Sequence, residues 1–119
     1  MSTELFTAFA DDTPELLFQK IRENHNEIES IYDIYIIDEF GKFEGCTTIK
    51  DIILAPPSIK VKEIMVSDDL KFLDPDDDWR TVAKFMSKYN LINVPVVDEE
   101  KILLGLVSVD DVLPWLLGD

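Results

Sequence analysis

The chain repeats itself at a fixed distance. Ile36-Ile37-Asp38-Glu39 returns 60 residues later as Val96-Val97-Asp98-Glu99. Gly45-Cys46-Thr47-Thr48-Ile49-Lys50-Asp51-Ile52-Ile53 returns, at the same offset, as Gly105-Leu106-Val107-Ser108-Val109-Asp110-Asp111-Val112-Leu113. No gap falls inside the copied unit. Repetition at such a period implies one supersecondary unit duplicated, each copy needing the other to cover its apolar face. Two equivalent clefts are therefore expected where the copies meet.

Each copy reads as strand, helix, strand, strand, helix. Residues 4–10 have strand character. Thr13 then caps a helix over 14–24, with Pro14 at the first helical position, where a missing N–H costs nothing. A polar connector leads to a buried strand, Ile31 to Ile37, rich in β-branched and aromatic residues. Asp38-Glu39-Phe40-Gly41 is a turn in which Gly41 supplies the positive φ. Lys42 to Thr47 forms the hairpin partner, and Thr48 caps a short helix through Ala55. Pro56-Pro57-Ser58 breaks that helix, and residues 58–65 read as a short helical turn.

The second copy follows the same order. Lys71-Phe72-Leu73 resembles the opening strand, and Asp76-Asp77-Asp78 cap a helix from Trp79 to Tyr89, opposing the positive end of its dipole. Leu91 to Val97 and Lys101 to Val107 make the hairpin, and Ser108 caps a last helix through Leu117. From helix start to the Asp-Glu turn the first copy is about three residues longer. The order predicts an α/β (α+β) fold, two β-α-β-β-α repeats with mixed sheets flanked by helices. The copies divide as residues 1–66 and 67–119 of one compact module.

Composition narrows the function. With 119 residues and 46% apolar content the chain suits one compact domain with a real core. No apolar run approaches the ~18 residues of a membrane span and no leader is evident, so a cytoplasmic chain without direct membrane insertion is expected. Its 25 acidic and 11 basic residues give a net charge of −14. Nucleic-acid binding, which rests on Lys and Arg neutralising phosphates, is disfavoured. Divalent cations or a basic surface would relieve the self-repulsion; an acidic surface that only keeps the protein dispersed is the plain alternative.

No catalytic constellation is present, and the expectation is a protein that is not an enzyme. Lone His25 lies in a polar connector without a second His or Cys at metal spacing. Cys46, the single cysteine, sits in an apolar strand as a small core residue. Nucleophile elbows and phosphate-binding glycine loops are absent. What stands out is the duplicated Gly-x-x-[Thr/Ser]-x-x-Asp. Thr48 and Ser108 mark the passage from strand to helix, and Asp51 and Asp111 follow on the same face. Hydroxyl and carboxylate together could grip a ribose diol. The same residues also spell a capping box, in which the acid bonds back to the cap's N–H, and spacing leaves both open.

The two strand–helix–strand–strand–helix copies, each ending in [Val/Ile]-[Val/Ile]-Asp-Glu and Gly-x-x-[Ser/Thr]-x-x-Asp-[Ile/Val], resemble a pair of CBS (cystathionine β-synthase-type) domains forming a Bateman module. Ile31 to Lys42, Ala55-Pro56-Pro57 with Val61 to Met65, Leu91 to Glu100 and Val107 to Leu113 are similar to the cytosolic regulatory portion of MgtE-type magnesium transporters. The resemblance covers nearly the whole chain. It implies adenine nucleotide (ATP or AMP) at Thr48, Lys50 and Asp51, with Ser108 and Asp111 as counterparts in the second copy. It also implies regulatory Mg²⁺, for which Asp78 and Asp111 fall on positions that relatives use as ligands. Asn90 and Pro114 stand where further acids are expected. Asp33 and Leu91 stand where nucleotide-binding relatives often present aromatic rings.

The function so implied is a homodimeric sensor that regulates a magnesium transporter, whose transmembrane ion-conducting domain would be the partner. A stand-alone adenine-nucleotide-binding CBS protein that regulates a partner enzyme is the alternative, and a purely structural dimerisation module is a third. Trp79 and Trp115 read as core or interface aromatics on amphipathic helices.

Overall fold

A computed structural model describes residues 5–24 and 32–117. His25 lies outside the described residues. The elements run β1 (Thr7–Phe9), α1 (Pro14–Glu23), β2 (Asp33–Ile37), β3 (Phe43–Thr48), α2 (Ile49–Leu54), α3 (Trp79–Tyr89), β4 (Asn93–Val97), β5 (Leu103–Ser108) and α4 (Val109–Leu117). One 3₁₀ turn, Val61–Glu63, lies between α2 and α3. The described residues form two compact units, 5–70 and 71–117.

In the first unit, β2 pairs with β1 in parallel and with β3 antiparallel, giving a mixed sheet. Thr13 caps α1 by accepting the Leu16 N–H at 3.2 Å, and Pro14 holds the first helical position. Ala8, Leu17, Ile34, Ile36, Ile52 and Val61 close into one core. Burying each aliphatic side chain of this kind contributes about 1.5–3 kcal/mol. Val61 enters that core because its N–H donates to the Asp12 carbonyl at 2.8 Å, tying the 3₁₀ turn to the start of α1.

The second unit repeats the plan with its own core: Leu73, Val82, Ala83, Met86, Val94, Val96, Val107 and Val112. Ile34, Ile36 and Ile52 reappear 60 positions on as Val94, Val96 and Val112, all buried. The hairpin turns agree bond for bond. Asp38 Oδ1 accepts the N–H groups of Phe40 and Lys42, as Asp98 Oδ1 accepts those of Glu100 and Ile102. The last turn residue is left-handed in both copies, at φ 87° for Gly41 and 71° for Lys101. Both hairpins carry an irregularity at the same place, Ile36/Ile37 and Val96/Val97.

Two expectations are corrected. Lys71-Phe72-Leu73 makes no strand, only a single parallel bridge from Leu73 to Val96. In the first copy the Tyr35 N–H donates to the Phe6 carbonyl at 3.0 Å. The corresponding residue in the second copy is Pro95, which has no N–H, so the ladder cannot extend from the Leu73 bridge toward Lys71; Pro75, likewise without an N–H, cannot extend it the other way. The length difference between copies is five residues, not three (Thr13 to Asp38 against Asp78 to Asp98). Asp78 alone caps α3, and Asn90, left-handed at φ 54° and ψ 43°, ends it. Leu91 N–H then returns to the Met86 carbonyl at 2.9 Å, and the strand begins three residues after the cap.

Candidate functional site

Each copy of Gly-x-x-[Thr/Ser]-x-x-Asp sits where an antiparallel strand runs into a helix. In the first, Gly45 lies opposite Ile36 and is buried. A methyl group there would lie 2.8 Å from both Met65 Sδ and the Val66 carbonyl oxygen. The glycine is needed because the 65–66 segment pairs against this strand, with the Cys46 N–H donating to Val66 O at 2.9 Å and the Val66 N–H to Cys46 O at 2.8 Å. Cys46 is half-buried, and burial raises its thiol pKa, with the charge of Asp33 adding to the effect.

Thr48, in extended backbone at φ −120° and ψ 160°, caps α2 through its Oγ1, which accepts the Asp51 N–H at 3.1 Å. Its neighbour Ile49 donates its N–H to the Tyr32 carbonyl, as Val109 does to Ile92 in the second copy. The Lys50 and Asp51 side chains are exposed. Among the described residues no donor engages the Asp51 carboxylate.

In the second copy the polarity of the pair is reversed. Asp111 Oδ2 accepts the Ser108 N–H at 2.9 Å, with the Ser108 hydroxyl at 3.4 Å from the same oxygen. The two copies thus display the two halves of a capping box. The first uses the hydroxyl as acceptor and leaves its acid outward. The second uses the acid.

Asp78 is placed by the helix it begins. Its Oδ1 accepts the Thr81 N–H at 2.8 Å, and this bond holds its pKa below the ordinary 3.8. Among the described residues no three acidic, histidine or cysteine side chains converge on a point where a metal ion could sit. Asp78 and Asp111 each already accept a backbone N–H. Asn90 is the left-handed helix end, and Pro114 lies inside α4. Neither position carries a carboxylate.

Residues 1–58 and 61–118 each match the family profile of the CBS domain. The chain belongs to the CBS-domain family. This CBS pair is 40% identical over 104 residues to the magnesium transporter MgtE of Thermus thermophilus, covering 87% of this chain and 23% of the transporter. It is 34% identical over 91 residues to MgtE of Bacillus subtilis, covering 76% of this chain and 20% of that one. The chain therefore spans about a quarter or less of these curated relatives. Among solved structures, it superposes on the cytosolic domain of the Mg²⁺ channel MgtE in complex with ATP with a TM-score of 0.89. Identity there is 37%, over 95% of this chain and 45% of that one. The CBS domain pair of protein MJ0100, in complex with 5′-methylthioadenosine and S-adenosyl-L-methionine, gives 0.74 at 31% identity over 99% and 92%.

Several features of this CBS pair escape the motif pattern. Asp33 pairs across the sheet with Thr48 and is half-buried. Burial raises its pKa, opposed by a hydrogen bond from the Tyr35 hydroxyl. Alternation along β2 puts Asp33 and Tyr35 on one face, a signal present in the sequence. Trp79 and Trp115 stack on each other, ring centroids 5.5 Å apart. Arg80, Lys84 and Lys88 line one side of a groove whose other side is α4. Their spacing was legible; the groove they border needed the helix packing. No described helix is long and apolar enough to cross a membrane.

Proposed function

We propose that this chain is the cytosolic regulatory CBS module of an MgtE-like magnesium transporter. It works as a homodimer whose conformation responds to Mg²⁺ and to adenine nucleotide. The observation that carries this reading is the likeness to MgtE over 87% of the chain, at 40% identity. The ion-conducting part of such a transporter is the partner domain, and the module lies on its cytosolic face. The two CBS motifs are taken as residues 1–66 and 67–119.

Thr48, Lys50 and Asp51 hold the nucleotide in the first copy. Support comes from the exposed, undonated Asp51 carboxylate beside the Thr48 cap, an acceptor suited to a ribose diol. Ser108 and Asp111 make the weaker counterpart, because Asp111 Oδ2 is already spent on its own helix. Asp78 and Asp111 are the Mg²⁺ ligands from this chain. They do not form a cage, and a hydrated ion bridging to a second acidic surface fits them better, since Mg²⁺ keeps several waters. For Mg²⁺ to regulate, it must bind one dimer conformation better than the other; equal affinity shifts nothing.

A second reading is favoured by the match to the MJ0100 CBS pair, which covers 92% of that chain. On that reading this chain is a stand-alone adenine-nucleotide-binding CBS protein that regulates a partner enzyme, with no Mg²⁺ dependence. Thermal unfolding with EDTA, Mg²⁺, ATP or AMP separates the two, with ionic strength matched. Ligands specific to the folded state raise the midpoint by mass action. A Mg²⁺-specific rise that is lost in Asp78→Ala with Asp111→Ala supports the transporter module. A nucleotide rise without any Mg²⁺ response supports the second reading.

A further inference from the structure

We propose, on the reading that Thr48, Lys50 and Asp51 hold a nucleotide, that Asp33 selects its base: the Asp33 carboxylate accepts a hydrogen bond from the 6-amino group of an aminopurine. Asp33 opens β2 directly opposite Thr48, the last residue of β3. Opposed residues of an antiparallel pair share one face of the sheet, with Cβ atoms about 5 Å apart. Thr48 therefore stands between two carboxylates. Asp33 lies on the neighbouring strand, and Asp51 lies three residues onward, its N–H held by Thr48 Oγ1 at 3.1 Å. The ribose hydroxyls and the 6-amino group lie at opposite ends of a purine nucleoside, so Asp51 and Asp33 can engage one ligand from its two ends. The backbone is fixed at this corner, because the Ile49 N–H donates to the Tyr32 carbonyl at 3.2 Å.

Asp33 has acceptor capacity to spare. Tyr35, two residues along β2 on the same face, donates its hydroxyl to the carboxylate. Among the described residues no lysine or arginine pairs with Asp33. An ionised carboxylate offers about four acceptor positions and no donor. Half-buried as this one is, leaving those positions undonated costs free energy, and a ligand that brings an N–H recovers it.

The repeat sharpens the assignment. The residue equivalent to Asp33 in the second copy is Asn93, which pairs with Ser108 as Asp33 pairs with Thr48. An amide both donates and accepts, so Asn93 adapts to a donor or an acceptor on the base. The Asp33 carboxylate only accepts, and its bond to an amino group is charge-assisted. Selectivity for the 6-amino group therefore belongs to the first copy. A site built to hydrogen-bond such a group rejects the analogue lacking it, because its own polar atom is left without a partner.

The probes are ATP and purine riboside 5′-triphosphate, which differs from ATP only in carrying hydrogen in place of the 6-amino group. Titration calorimetry at about pH 8 keeps Asp33 ionised, with Mg²⁺ and ionic strength held constant. The parent should bind ATP tighter than the analogue by about tenfold or more. In Asp33→Asn the preference should shrink, since an amide oxygen still accepts without a charge, and in Asp33→Ala it should vanish. Asp51→Ala should weaken both nucleotides alike, which assigns the titration to this copy. Equal binding of the two nucleotides by the parent overturns the role of Asp33 and leaves the nucleotide site standing. So does a preference that is undiminished in both Asp33 variants. Binding of neither nucleotide by the parent, or full binding in Asp51→Ala, overturns the nucleotide reading of this site and the role of Asp33 with it.

Discussion

Thr47 and Val107 occupy the same place in the two copies, opposite Ile34 and Val94, and both are buried. Only Thr47 brings a polar atom there, and its Oγ1 has no hydrogen-bond partner. Desolvating a hydroxyl without a partner costs free energy that the valine in the second copy avoids. Thr47→Val is isosteric in outline and should stabilise the protein by about 1 kcal/mol. Calorimetry should show the midpoint rising by roughly 4 °C. An unchanged or lower midpoint would mean that the hydroxyl has a partner after all.

Capping and ligand binding separate at α2. Thr48→Ala removes the acceptor for the Asp51 N–H and should cost about 1 kcal/mol. Asp51→Ala removes an exposed carboxylate that no described donor engages, so stability should change little. Under the proposed function the same Asp51 variant loses the stabilisation by ATP. If it keeps a full nucleotide response, the ribose assignment at α2 is wrong.

Acid pH should act oppositely on two aspartates. Asp78 has its pKa lowered, chiefly by the Thr81 N–H. Its contribution is complete above the ordinary 3.8 and is lost as pH falls through the lower folded value. Asp33 has its pKa raised by burial. Its ionised form therefore opposes folding above the raised value, and that opposition is relieved as pH falls toward 3.8. Asp33→Asn should raise the midpoint at pH 7 and lose its advantage in acid, whereas Asp78→Asn should lower it at pH 7 and converge on the parent in acid. Midpoint against pH for the three proteins checks both signs.

Gly45→Ala tests the close approach of residues 65–66. The added methyl would meet a backbone carbonyl at 2.8 Å, and a carbonyl in a two-way bridge to Cys46 has little room to move. Overpacking of this kind costs about 1–3 kcal/mol. Hydrogen exchange should find the Val66 amide, bonded to the Cys46 carbonyl at 2.8 Å, losing protection first.

The repeat made much of the fold legible. Ile34 and Ile36 against Val94 and Val96 fix the inward faces of both hairpins, and alternation of side chains excludes a one-residue slip. Thr13, Thr48 and Asp78 announced three helix starts, since a side-chain acceptor before a helix acts on N–H groups only two or three residues away. The missing strand at Lys71–Leu73 was harder to read. One cause, Pro95, lies more than twenty residues along the chain, and only strand pairing makes it a residue whose N–H is wanted.

Sequence alone determined the duplicated strand–helix–hairpin–helix plan, the turns at Asp38 and Asp98, and the pairing of hydroxyl with acid at each strand end. These depend on local backbone preferences and on a hydrophobic period that any single copy displays. Tertiary structure decided how each pair is used. The rotamers of Thr48, Asp51, Ser108 and Asp111 determine which group accepts a helix N–H, leaving one acid outward and turning the other onto its own helix. It also decided that Arg80, Lys84 and Lys88 border a groove, because a strip of charge on one helix becomes the wall of a groove only when a second helix packs beside it.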